Sequence, residues 1–351
     1  MFSFSNISGF FHKIIHYILM IIDYLIEIIG FDIKNNRKVI ISTIILIVLL
    51  LIYRLVKSVY YYKFTKENDS KAVSCLTNQN EMIWELNQQP LSMQKDEILE
   101  HTLKEFRIAS SHNTYIPCNQ NLDISSKLSI RNALILGCRV VELDLFVNES
   151  DNNPVIVHGV EGSTVGKDIY TTTILNFREV CNEINNYAFK KTNDPLILTL
   201  ELNTHKNEVV NTNTANILRE IFGERLLAKD ETKSIGDYKL RELMGKVIIL
   251  SGGGSSGELN NVINNTWYDD KLQNISSNTE ITDEIINFNK TGITRVYPAG
   301  DVRGHFSGNY DPKKFWDAGC QIVAMNYQTN DTGMIDNNNM FKNSSFILKS
   351  K

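Results

Sequence analysis

The side chains able to do chemistry sit in short polar clusters at the ends of apolar runs. Phe106–Ala109 leads into Ser110-Ser111-His112-Asn113, and Arg139–Phe146 carries Glu142 and Asp144. Pro154–Val157 ends at His158, Pro195–Leu202 carries Glu201, and Ile293–Val296 carries Arg295 with Tyr297 just beyond. Residues two apart on a strand share a face, so Glu142 points with Asp144, and Arg295 with Tyr297. Taken singly, each has a plain structural reading, such as a strand-end histidine bonded to backbone or a solvated Glu-x-Asp. Several such tips arriving from separate strands call for a common purpose. Carboxylates aimed into an apolar interior need a cation to balance them. Asn113, Glu142, Asp144 and Glu201 form an all-oxygen set, which suits a hard ion rather than zinc. Calcium tolerates irregular geometry, so Ca²⁺ is the expected cofactor. His112 and His158 are then left free for proton and phosphoryl work.

The elements that must position these groups follow a repeated grammar. Strand candidates also include Lys246–Leu250 and Cys320–Tyr327, and between the strands lie amphipathic segments at Ile174–Lys191, Ala215–Leu227 and Tyr238–Met244. Their apolar residues recur near 3.6 spacing. Strands alternating with helices imply a parallel sheet, and seven strands in this length fit a closed α/β barrel better than a doubly wound sheet. No G-x-G-x-x-G follows a strand, and Gly252–Gly254 opens into an Asn-rich stretch, which argues against a dinucleotide fold. In such barrels chemistry gathers at the C-terminal strand ends, where the polar tips lie.

Composition bounds the rest. A chain of 351 residues with 42% hydrophobic and 22% charged residues is neither a disordered tail nor a small disulfide scaffold. The net charge of −4 divides into a +5 head, residues 1–66 with eight Lys/Arg against three Asp/Glu, and a −9 body. That split argues against nucleic acid and for a lipid bilayer as partner; no protein partner is evident. Val39–Tyr53 runs fifteen residues without a charge, approaching with its flanks the roughly 20 needed to span a bilayer. Residues 37–56 are therefore expected to form a transmembrane helix. Residues 1–36 would be a membrane-associated or amphipathic segment, with His16, Asp23 and Glu27 on one face of Ile14–Ile29, and 57–95 a tether. The expected localisation is membrane, single-pass or hairpin-anchored, with a cytosolic body. Five cysteines without a C-x-x-C read as reduced thiols.

At this point the residues resemble a known family, the eukaryotic-type phosphoinositide-specific phospholipases C. Ser110-Ser111-His112-Asn113-Thr114-Tyr115, then Gly137-Cys138-Arg139-Val140-Val141-Glu142-Leu143-Asp144, His158-Gly159 and Leu200-Glu201 are similar to that family's X half. Arg295-Val296-Tyr297-Pro298-Ala299-Gly300, Phe315-Trp316 and Gly319-Cys320-Gln321-Ile322-Val323-Ala324-Met325-Asn326-Tyr327 are similar to its Y half. The resemblance implies a distorted (β/α)8 TIM barrel, with an X half at 96–251, an X–Y linker at 252–285 and a Y half at 286–351. It implies cleavage of an inositol phospholipid to diacylglycerol and a (cyclic) inositol phosphate, by attack of the 2-hydroxyl on phosphorus. Asn113, Glu142, Asp144 and Glu201 would hold Ca²⁺, and Glu142 would take the hydroxyl proton. His112 would donate to the phosphoryl oxygens and His158 would protonate the departing oxygen. Arg295, Tyr297 and Ser277 would face the headgroup. Where phosphoinositide-binding members place two lysines after the run matching Lys246–Leu250, this chain reads Ser251 and Gly253, which implies weaker preference for bisphosphorylated lipid. Two other readings compete: another metal-dependent phosphodiesterase barrel, and a catalytically weak lipid-binding scaffold on the same fold.

Overall fold

The computed structural model describes residues 42–43, 46–54, 74–75, 96–119, 124–148, 150–159, 173–300 and 308–349. The chain divides into two compact units, Met1–Lys63 and Phe64–Lys351. Among the described residues, no helix is long and apolar enough to cross a membrane. This overturns the transmembrane helix at 37–56 and, with it, the membrane-anchored localisation that rested on it. Residues 1–36, and the tether apart from 74–75, lie outside the described residues.

The second unit is built around parallel strands. These are β1 (Phe106–Ser111), β2 (Val140–Asn148), β5 (Leu196–Asn203), β6 (Val247–Ser251), β7 (Asn265–Thr266), β8 (Leu272–Ser276), β9 (Ile293–Tyr297) and β10 (Ile322–Met325). Their order is β7-β6-β5-β2-β1-β10-β9-β8, every neighbouring pair parallel. The path curls into a nearly closed barrel whose seam lies between β7 and β8. Three short strands lie off it: β3 (Asn153–Ile156) and β4 (Leu175–Asn176) form an antiparallel excursion from β2, and β11 (Phe346–Leu348) pairs with β1. Both strands at the seam fall in 252–285, which the sequence reads as linker. A two-residue strand and the polar run LQNIS carry too little apolar alternation to announce themselves.

Helices cover the outside: α1 (Lys127–Ile135), α2 (Phe177–Ala188), α3 (Glu208–Phe222), α4 (Leu240–Leu243), α5 (Asp283–Phe288), α6 (Lys313–Asp317) and α7 (Thr332–Phe341). The chain's abundant Asn and Asp work as caps. Asn176 accepts from Glu179 N, Asn207 from Val209 N and Val210 N, and Asp331 from Met334 N, which satisfies orphan donors of the first turn. The same return to the sheet is used twice. Helix α1 is followed by Gly137 (φ 89) and Cys138 before β2, and α6 by Gly319 (φ 82) and Cys320 before β10. Positive φ without steric cost is what glycine supplies there.

Strand alternation divides the apolar residues between two cores. Leu143, Ile156, Leu198, Leu200, Val247, Ile249, Val296 and Val323 pack outward against the helices. Ile108, Val140, Ile197, Ile248, Leu250, Leu272, Ile293 and Ile322 fill the lower interior. Cys138, Cys181 and Cys320 are buried and free, as expected of core thiols. Cys75 and Cys118, in contrast, form a disulfide across 43 residues of sequence, which corrects the expectation of reduced thiols throughout. No motif in the sequence pairs these two.

Candidate active site

Alternation that puts Ile108, Val140, Ile197 and Ile293 on the barrel floor places polar residues above them on the same faces: Ser110 and His112 from β1, Glu142 and Asp144 from β2, Thr199 and Glu201 from β5, and Arg295 and Tyr297 from β9. The registers Glu142↔Thr199 and Asp144↔Glu201 hold the acidic residues side by side. Glu142, Asp144 and Glu201 bring carboxylate oxygens within 4.8 Å of one another, with Glu142 and Asp144 buried and Glu201 exposed. One oxygen of Asp144 is buried without a hydrogen-bond partner. Burial, then the neighbouring Glu201 and Glu142 charges, push the Asp144 pKa well above the usual carboxylate range. An orphaned carboxylate oxygen facing two further carboxylates fits a hard divalent cation, since a cation removes both the repulsion and the desolvation cost.

Glu142 lies in a different field from its neighbour. Burial opposes its ionisation, but Arg295, His112 and the N–H of Asn113 outweigh burial and its pKa falls below the usual value. Arg295 forms a buried ion pair with Glu142 and donates a second bond to Asn274 at 2.9 Å. The loop after β1 clasps the same residue: Asn113 N donates to its carboxylate at 3.2 Å, and Glu142 N donates to Thr114 Oγ1 at 3.0 Å. Asn113 holds φ 42, a left-handed conformation that Asn tolerates better than most residues. Tyr115, fully buried, has its hydroxyl pKa raised, by burial first and then by the Asp144 charge.

His112 is oriented by residues the sequence reading did not single out. Its Nδ1 lies 2.9 Å from Asn326 Oδ1, while Asn326 Nδ2 donates to Gly308 O at 2.9 Å and Asn326 N to Asn309 Oδ1 at 2.6 Å. With the amide nitrogen committed to a carbonyl, its oxygen must accept, so His112 Nδ1 carries the proton and Nε2 is left for the site. Burial pushes the His112 pKa down, Glu142 opposes that and Arg295 adds to it. Asn326 continues the face of Ile322 and Ala324, and that period was the available signal. Asn274 carried no signal, because its strand reads as polar linker.

His158 arrives otherwise than expected. It follows β3, which runs antiparallel to β2 and outside the barrel path; Val157 N reaches Asp144 O at 3.4 Å, so the hairpin delivers His158 beside the acidic strand. Ser277 follows β8 and its Oγ accepts from Ala299 N at 2.9 Å, beside Tyr297 whose ring centroid is 5.5 Å from the Arg295 guanidinium carbon. Ser251 departs from expectation. It is fully buried and alternates with the outward-facing Val247 and Ile249, so it turns towards the helices rather than the mouth.

The described strands thus form a nearly closed parallel barrel with acidic and imidazole groups at its C-terminal mouth. Comparison with known proteins makes the assignment finer. Residues 99–252 match "Phosphatidylinositol-specific phospholipase C, X domain" and residues 258–351 match "Phosphatidylinositol-specific phospholipase C, Y domain". The chain belongs to the phosphatidylinositol-specific phospholipase C family. It is 28% identical over 289 residues to the 1-phosphatidylinositol 4,5-bisphosphate phosphodiesterase delta-3-A of Danio rerio, covering 65% of this chain and 35% of that one. It is 27% identical over 319 residues to the zeta-1 enzyme of Homo sapiens, covering 71% and 50%. The crystal structure of S. officinalis PLC21 superposes with a TM-score of 0.59 at 26% identity, over 72% of this chain and 37% of that one. The chain thus spans half or less of the length of these relatives.

Proposed function

We propose that the protein is a calcium-dependent phosphoinositide phospholipase C, cleaving an inositol phospholipid to diacylglycerol and a cyclic or open inositol phosphate. The observation that carries this reading is the convergence of Glu142, Asp144 and Glu201 within 4.8 Å, beside His112, in a family whose curated members are named as phosphodiesterases of such lipids. Asn113, Glu142, Asp144 and Glu201 would hold the ion. When bound, Ca²⁺ supplies charge that lowers the pKa of the inositol 2-hydroxyl and offsets charge developing on phosphate.

The chain's own residues divide the remaining work. Glu142 is kept ionised by Arg295 and the Asn113 N–H, the state a general base needs to take the hydroxyl proton. The 2-hydroxyl oxygen attacks phosphorus and the bond from phosphorus to the diacylglycerol oxygen breaks. His112 presents Nε2 to the phosphoryl oxygens; an anionic phosphodiester beside it adds to the pull of Glu142 towards the protonated, donating form. His158 gives a proton to the departing oxygen. Arg295 and Tyr297 face the headgroup, and Ser277 supports the turn beside them. His112→Ala tests the assignment: release of water-soluble inositol phosphate from phosphatidylinositol vesicles should fall to background while binding to those vesicles persists. Turnover unchanged by the substitution would contradict it.

A further inference from the structure

Relatives of this chain are named for a lipid with phosphates at the ring's 4 and 5 positions, and two phosphate monoesters bring about −3 to −4 of charge. We propose that the headgroup pocket here is built for an inositol ring without phosphate monoesters, so that plain phosphatidylinositol is the preferred lipid; this rests on the phospholipase reading above and names the substrate class within it.

The register of β6 carries the inference. Thr199 pairs with Leu250 and Leu200 with Ser251, and Gly252 N donates to Leu200 O at 3.3 Å, so Gly252 stands level with Glu201. Ile248 and Leu250 face the interior whereas Val247 and Ile249 face the helices. The positions β6 shows to the site are therefore Leu250 and Gly252, one hydrocarbon and one without a side chain. A Cβ at Gly252 would meet no atom within 4 Å; the wall is open there and bears no charge. Its neighbour Gly253, at φ +99, lies against the ring of Tyr268, which is 81% exposed.

The charges across the mouth point the same way. Among described barrel-strand residues on the site-facing side, Arg295 is the single cation, and it is already bonded to Glu142 and Asn274. Three carboxylates against one guanidinium leave a deficit that one divalent ion balances, and the scissile phosphodiester then adds −1. A further phosphate monoester near Gly252 would face Glu201 with no basic side chain from β5, β6 or β8 to oppose it. Neutral groups are available instead: the Thr199 hydroxyl is buried without a hydrogen-bond partner, a group suited to a ring hydroxyl.

The test uses the full chain with phosphatidylcholine vesicles carrying either phosphatidylinositol or its 4,5-bisphosphate at equal mole fraction and fixed calcium, reading released headgroup. The expected result is a kcat/KM for phosphatidylinositol about tenfold or more above that for the bisphosphate. Equal or higher values for the bisphosphate overturn the inference and leave the phospholipase reading standing; release from neither lipid removes that reading and the inference with it. As a second variant, Gly252→Lys should shift the ratio towards the bisphosphate by about tenfold. A folded variant with an unchanged ratio would overturn the role given to the β6 wall.

Discussion

Ile197 and Glu201 stand on one face of one strand, four residues and about 13 Å apart, and serve opposite ends. At the floor, Ile197 packs with Ile108, Val140, Ile248, Ile293 and Ile322, all fully buried or nearly so. At the mouth, Glu201 lies with Asp144 and Glu142 within 4.8 Å, and one Asp144 oxygen is buried without a hydrogen-bond partner. The floor is where the barrel gains its stability, through burial of close-packed aliphatic surface. The mouth holds like charges and an orphaned oxygen, which cost stability until a ligand balances them. A single period-two pattern thus positions the chemistry because its lower half is rigid.

Substitutions at the two levels should separate these roles. At the mouth, His112→Ala should lower kcat by about 10²–10⁴-fold with the melting temperature nearly unchanged; a parallel loss of fold by circular dichroism would blur the distinction. At the floor, Ile197→Ala should cost about 2–5 kcal/mol of unfolding free energy, measured by urea titration, while the folded fraction keeps its kcat. Asp144→Asn sharpens the contrast, because it removes a buried charge facing two others. Without calcium its melting temperature should rise above that of the native protein, and the rise that calcium gives the native protein should disappear; a less stable metal-free variant would argue against repulsion at this site. Asn326→Ala removes the bond that fixes His112 and should lower kcat about tenfold with little change in KM, and Asn326→Gln should not restore it.

How much of this was legible in the sequence depended on apolar pattern. Glu142 with Asp144, and Arg295 with Tyr297, could be placed on common faces because each pair is embedded in a strongly apolar run whose period is unambiguous. His158 was rightly set at a strand end but wrongly given a barrel strand, since a short apolar run does not reveal whether its pairing is parallel or antiparallel. The strand Leu272–Ser276 escaped because its stability comes from pairing with β9 rather than from its own residues. Ser251 enters the headgroup set through the family resemblance; a shift of one residue reverses the face, and the register of β6 gives the site-facing positions to Leu250 and Gly252. The apolar run Val39–Tyr53 suggests a bilayer span when hydropathy is counted along the sequence, but among the described residues no helix is long and apolar enough to cross one.

The proposed function depends most on the three carboxylates gathering a calcium ion for the reaction. Its direct test is headgroup release from phosphatidylinositol vesicles by the full chain, measured with calcium and with EGTA. Loss of turnover in chelator, restored when calcium is returned in excess, is the predicted result; undiminished turnover in EGTA would contradict it.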